Sequence, residues 1–219
     1  MKVLVVGANG QIGKHLVNLL HSGKEHTVRA MVRKEEQVTT FIKQGVETRL
    51  ADLEGSVERI AEAASGCDAV VFAAGSGGHT GADKTILIDL DGAAKTIEAA
   101  EKAGVKRFVM VSSILSNDRE TWSGSYYMAA KYYADKILEV SSLDYTIIRP
   151  GVLTNEPSLA KVSATTGKID WDMKNMPKIP REDVARTIEA TLTKENTYHR
   201  AFDLISGEDS ISDALDKIK

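Results

Sequence analysis

The sequence predicts an α/β protein built on a doubly wound parallel sheet, in a single compact domain. Two patterns carry that prediction. Short apolar runs of strand length alternate with amphipathic helical stretches as far as Ile148. The first run, Lys2–Val6, is almost wholly apolar and ends directly in Gly7-Ala-Asn-Gly10-Gln-Ile-Gly13, a turn that feeds a helix. A length of 219 residues suits one large domain, 1–219, or one domain with a small appendage.

In chain order, the helix after the glycines places Ile12, Leu16, Leu19 and Leu20 on one face. A second strand is expected at Thr27–Val32, a helix over 35–44, a strand over 46–50 and a helix at Val57–Ala64. The fourth strand spans 68–74, with Gly75-Ser-Gly-Gly78 as the turn beyond it. A long helix over 83–103 stops at Gly104. Strand five is Arg107–Val111, a helix covers 125–140, and strand six covers 145–148, running into Arg149-Pro150-Gly151. Periodicity is lost over 152–180, where 161–164 and 168–171 form a candidate hairpin. With Trp171, Met173 and Met176, this stretch reads as a substrate-side lid or as an excursion packed on its own side chains. A helix from Arg181, a strand over 201–205 and an amphipathic helix over 210–218 complete the chain.

The glycine turn is an anion site. Backbone N–H groups and the positive end of the helix dipole face whatever lies over it. Gly7 permits the turn, Gly10 the approach of a pyrophosphate and Gly13 close packing of helix on strand, with Asn9, Gln11 and Ile12 completing the cradle. A P-loop is excluded: Gly13-Lys14 fits its end, but Ala8 and His15 replace its first Gly and its Ser/Thr. The motif therefore predicts a dinucleotide. Strand two ends in Arg33-Lys34 with no acid before Glu35, which favours NADP(H) over NAD(H), since a basic residue there accommodates a 2′-phosphate. Asp52, followed by Leu53, either reaches the adenine or caps the next helix. Small Ala73, Ala74 and Gly75 let ribose and pyrophosphate lie against the backbone.

Tyr127 and Lys131 stand at i and i+4 on one helical face. A phenol, pKa about 10, is a poor base at neutral pH, and a cation within about 4–6 Å lowers that value by roughly 1–3 units. A serine after the neighbouring strand, Ser112 or Ser113, can bond the same substrate oxygen. A packed aromatic face, with Tyr126, Tyr132 and Tyr133, is the plainer alternative.

The glycine spacing, Val111-Ser-Ser113, Tyr127-x-x-x-Lys131, the stretch from Asp144 to Gly151 and that from Pro180 to Ala185 together resemble the short-chain dehydrogenase/reductases. The similarity covers nearly the whole chain and is strongest to the compact atypical branch of NAD(P)-binding, NmrA-like or epimerase/dehydratase-like proteins. The resemblance implies a Rossmann fold, Tyr127 as general acid/base, Lys131 on the nicotinamide ribose, Ser113 (or Ser112) orienting a carbonyl, and Pro150-Gly151 beside the nicotinamide. The family tetrad's Asn corresponds to Asp89, which accepts hydrogen bonds where Asn also donates, so any proton relay is wired differently. The large C-terminal substrate domain of sugar-nucleotide epimerases has no counterpart. The functions implied are reduction of a small carbonyl or quinone, redox sensing without catalysis, or epimerisation or dehydration without net redox.

A net charge of −3 and the lack of a basic stripe give no reason to expect nucleic acid. One cysteine, Cys67, excludes an internal disulfide, and no metal-ligand spacing is present. No run is long enough to cross a membrane, and the glycine-broken N-terminus does not suit a signal peptide. A cytoplasmic protein, monomeric or homodimeric, acting on a small molecule of unidentified structure is expected.

Overall fold

In the first strand, β1 (Lys2–Val6), alternate side chains enter two different apolar clusters, Val3 and Val5 on one face, Leu4 and Val6 on the other. A strand buried on both faces needs helices on both, and the chain supplies them. In this computed structural model, which describes residues 1–122, 124–167, 169 and 175–219, α1 (Gln11–Ser22) and α7 (Arg181–Thr191) pack on one face through Leu16, Val17, Leu20, Val184 and Ile188. On the other lie α3 (Val57–Ala64), α5 (Asp91–Lys102) and α6 (Tyr126–Glu139), through Ile60, Ile97 and Leu138.

Among the described residues the main sheet has nine strands, in the order β11-β8-β10-β6-β5-β4-β1-β2-β3. From β3 (Glu47–Leu50) and β2 (Thr27–Val32) through β1, β4 (Ala69–Phe72), β5 (Arg107–Val111) and β6 (Asp144–Pro150) to β10 (Arg200–Ser206), all pairings are parallel. The strand order reverses between β1 and β4, and such a reversal opens a crevice at the carboxyl ends of the strands. The helix α2 (Glu35–Lys43) follows β2. Apart from the differences below, the expected strands and helices are present, many with ends shifted by one or two residues.

Three features differ from the sequence expectation. The helix expected over 83–103 is a run of α4 (Ala82–Lys84), a π-helical stretch Thr85–Leu90 and α5. Residues 161–164 do not fold back on their sequence neighbours: β8 (Lys161–Thr165) pairs antiparallel with β10 and with the short β11 (Asp209–Ser210), because its buried Val162 joins the main core. The other half of the expected hairpin lies largely outside the described residues, as do Trp171 and Met173. Finally, β7 (Val152–Thr154) and β9 (Lys178–Pro180) form a small parallel pair within the stretch that shows no periodicity. That stretch is anchored by the fully buried Asp183 carboxylate. It accepts the backbone N–H groups of Leu159 and Ala160, each at 3.0 Å, and the Ser158 hydroxyl. The last helix, α8 (Ile211–Asp216), is capped by the Ser210 hydroxyl, which accepts from Asp213 N.

Among the described residues no helix is long and apolar enough to cross a membrane, and no cluster of His, Cys, Asp or Glu suits a metal ion.

Candidate functional site

The glycine turn is tied together so closely that side chains are excluded from it. Gly7 has φ +86°, and a Cβ there would lie 2.7 Å from the Ala74 backbone; one on Gly13 would lie 2.2 Å from the Gly7 carbonyl. Gly10 N–H donates to Gly7 O at 2.8 Å and closes the turn. The helix it opens is unusual within this molecule. Its N-cap, Gly10, offers no side-chain acceptor, and its first turn carries no acid. By contrast, α2, α3, α5 and α7 begin with acids, and α6 has the Ser125 hydroxyl as its cap. The first N–H groups of a helix have no intrahelical partner, so α1 leaves its positive end free for an anion.

Over this turn lies a cleft of about 280 Å³ between the ends of β1, β2 and β4. Nine residues expected to bind a cofactor line it: Gly7, Asn9 and Gly10 at the turn, Arg33, Asp52 and Leu53 at one end, and Ala73, Ala74 and Gly75 along the β4 side. Gln11, Ile12 and Gly13 do not line it; Ile12 and Gly13 are buried beneath it. Lys34 also stands apart, 3.6 Å from Glu36. The cleft includes Gln37 and Ser76, which the sequence reading did not select. Gln37, in the first turn of α2, accepts Arg33 N–H through its side chain at 3.3 Å. Asp52 does not cap α3, whose N-cap is Ser56; its carboxylate instead accepts Glu54 N–H at 3.0 Å while facing the cleft.

Asp89, on the π-helical stretch, is buried, and its carboxylate accepts Ser76 N–H at 3.0 Å. The Ser76 hydroxyl lies 3.4 Å from that of Thr85. Together these contacts fix the turn after β4.

The remaining candidates gather at the ends of β5 and β6. Lys131 is buried and donates from Nζ to Val111 O at 2.8 Å. Phe72 pairs with Met110, so Val111 and Ala73 are the next residues of adjacent strands, and Ala73 lines the cleft. Tyr127, one turn earlier on α6, is 37% exposed. Among the described residues, the ammonium bonds to β5 and not to the phenol. The two serines differ sharply. Ser112 is buried, its hydroxyl 3.2 Å from that of Ser116, whereas Ser113 is half-exposed. Pro150 is buried at the end of β6, and a Cβ on Gly151 would lie 2.3 Å from Pro177 O.

Beneath Ser112 lies a cluster that the sequence reading missed. Ser116 Oγ donates to Asp135 Oδ2 at 3.3 Å, and Arg149 Nε donates to the same oxygen at 3.0 Å. Asp203 stands opposite Arg149 on the paired strand β10. Burial pushes the Asp135 carboxyl upwards against the pull of Arg149. Burial also pushes Asp203 up to about 6, again opposed by Arg149 and reinforced by Asp135. The available signals were Asp135 four residues after Lys131, and Arg149 and Asp203 as charges within otherwise apolar strand cores.

The sequence profile of the NAD(P)H-binding family matches residues 7–195. The chain is 54% identical, over the full length of both, to a Bacillus subtilis protein named "uncharacterized sugar epimerase YhfK". A solved structure from Bacillus halodurans, named for the NAD-dependent epimerase/dehydratases, shares 43% identity over 99% of each chain with a TM-score of 0.89. The oxidoreductase ylbE of Lactococcus lactis shares 32% identity over 100% of this chain and 96% of its own, with a TM-score of 0.86.

Proposed function

The chain belongs to the NAD(P)H-binding family, and from that premise we propose that it is an NADP(H)-dependent oxidoreductase that reduces a small carbonyl, quinone or similar electrophile. The residues fit such a cofactor, since the glycine cradle excludes side chains and presents an uncapped helix N-terminus to a pyrophosphate. Arg33 would take the 2′-phosphate and Gln37 would steady the Arg33 backbone, while Lys34 has no part in the cleft. When bound, NADPH supplies a hydride equivalent to an electrophilic carbon.

The chain's own residues then manage the oxygen. Tyr127 donates its phenolic proton to the oxygen that gains charge. Ser113 orients that oxygen by hydrogen bonding, the role for which its half-exposed position suits it better than buried Ser112. Lys131 binds the nicotinamide ribose from its anchor on Val111. The observation that carries this reading is that anchor: it sets a buried ammonium on the end of β5, the strand paired with β4, whose continuation Ala73–Gly75 lines the cleft, and one helical turn from Tyr127.

The names of the Bacillus relatives favour a second reading, a small epimerase or dehydratase using the cofactor transiently. NADPH consumption against aldehydes, quinones and flavin-like acceptors separates the two. Net oxidation with any acceptor supports the reductase. Conversion of a sugar substrate without net NADPH loss would replace it with the second reading.

A further inference from the structure

Lys131 poses a physical problem. It is 2% exposed, and its hydrogen bond goes to a neutral carbonyl, yet a buried ammonium is costly without a compensating charge. Four buried carboxylates could supply one: Asp89, Asp135, Asp183 and Asp203. Asp89 is engaged by Ser76 N–H and Asp183 by the 158–160 loop. Asp203 lies on β10, opposite Arg149. Asp135 is one helical turn beyond Lys131, on the stripe that also carries Tyr127, and the Lys131 charge favours its ionised form.

Asp135 does not act alone. Its Oδ2 accepts from Arg149 Nε and Ser116 Oγ, the Ser112 hydroxyl also favours its ionised form, and its Oδ1 has no hydrogen-bond partner of normal geometry among the described residues. Arg149 also lies 3.8 Å from Glu139 Oε1 and stands opposite Asp203 on β10, which has a buried, unpartnered Oδ1. The sequence of charges from the cleft outward is therefore Lys131 positive, Asp135 negative, Arg149 positive, Asp203 negative, all more than nine-tenths buried. Two unsatisfied carboxylate oxygens are a poor arrangement if the row served stability alone, since apolar replacements of buried ion pairs are often neutral or better.

We propose that Asp135 is a positioning residue: its carboxylate, paired with Arg149 (itself opposite Asp203), supplies the negative charge one helical turn from Lys131 that balances the ammonium, while Val111 O sets that ammonium at the end of β5 to meet the nicotinamide ribose. This rests on the assignment of Lys131 to that ribose in the function proposed above. The row acts on one half of the cofactor only. The adenosine and pyrophosphate half is held by the glycine turn and by Arg33, Gln37 and Asp52, none of which touches the row.

Two ligands separate these halves. NADPH spans both, and ADP carries only the adenosine and phosphates. NADPH affinity is read by its fluorescence and ADP affinity by displacement, on full-length wild type and Asp135→Asn, with circular dichroism to establish folding. Asp135→Asn is expected to weaken NADPH about tenfold while leaving ADP within about twofold, because loss of one buried charge partner falls on the other. Unchanged NADPH affinity overturns the proposal, and so does an equal loss of both ligands, which marks a merely structural role. If Asp135→Asn does not fold, Asp203→Asn at the outer end of the row carries the test. A loss of about two- to threefold for NADPH with none for ADP is expected there, and no loss for NADPH overturns the proposal. A wild type that binds neither nucleotide contradicts the cofactor assignment itself, a result distinct from either of these.

Discussion

The two parts of the proposed site, the cleft over the glycine turn and the ends of β5 and β6 beside it, are built from different materials. Around Gly7–Gly13 the site is chiefly backbone: N–H groups, a helix end and glycines at 7, 10 and 13 where a Cβ would collide. Around β5, β6 and α6 the proposed groups are side chains, Lys131, Ser113 and Tyr127, above a buried row of charge. A backbone site tolerates almost no added atom, whereas a side-chain site degrades by degrees and depends on partners far away in sequence.

That contrast ranks the expected effects of substitution. Gly13→Ala is the most severe, because its Cβ would fall 2.2 Å from the Gly7 carbonyl, with backbone on both sides. Overpacking of this kind costs about 1–3 kcal/mol, and the distorted turn should lose NADPH binding about a hundredfold. Chemical denaturation and NADPH titration check both, and a variant that binds normally would break the contrast at its strongest point. Asp183→Ala comes next, since it strands the donors of Leu159, Ala160 and Ser158. A loss of about 2–3 kcal/mol is expected, with faster proteolysis near 158–160. Arg33→Ala should weaken NADPH about tenfold and spare NADH, the size expected for one charge-assisted phosphate contact. Equal losses for the two cofactors would remove the 2′-phosphate assignment.

The smallest effect concerns pH. Asp203 is held at about 6 in the fold against about 3.9 in an unfolded chain. Between those values the native state binds more protons than the unfolded one, so stability falls as pH rises from about 4 to 6 and is flat above. Asp203→Asn should therefore raise the melting temperature at pH 7.5 and change it little at pH 4. A rise of equal size at both pH values would show that ionisation of Asp203 is not the cause.

The same contrast explains what the sequence made legible. Strands β1 and β2 and helix α3 are readable because local pattern alone determines them: a strand buried on both faces, or an apolar helical stripe. The glycine turn is readable because its function is its backbone. Most of the cleft follows from it, Asn9, Ala73 and Ala74 included. Pairing of β8 with β10 is not local, and the three-residue strands β7 and β9 are too short to show a period. The π-helical register that carries Asp89 to Ser76 has no composition of its own. Ser112 and Ser113 are adjacent and chemically alike, so only the fold separates the buried hydroxyl from the half-exposed one. Arg149 and Asp203 gain meaning only when β6 and β10 lie side by side.

The most direct test compares wild type with Tyr127→Phe, measuring NADPH affinity together with turnover on the best acceptor from the panel. Loss of the proton donor should lower turnover about a hundredfold or more with NADPH affinity unchanged, because the substitution removes one hydroxyl from the acid–base side and nothing from the glycine cradle. Turnover equal to that of wild type, at equal NADPH affinity, would contradict the assignment of Tyr127 as the acid of this site.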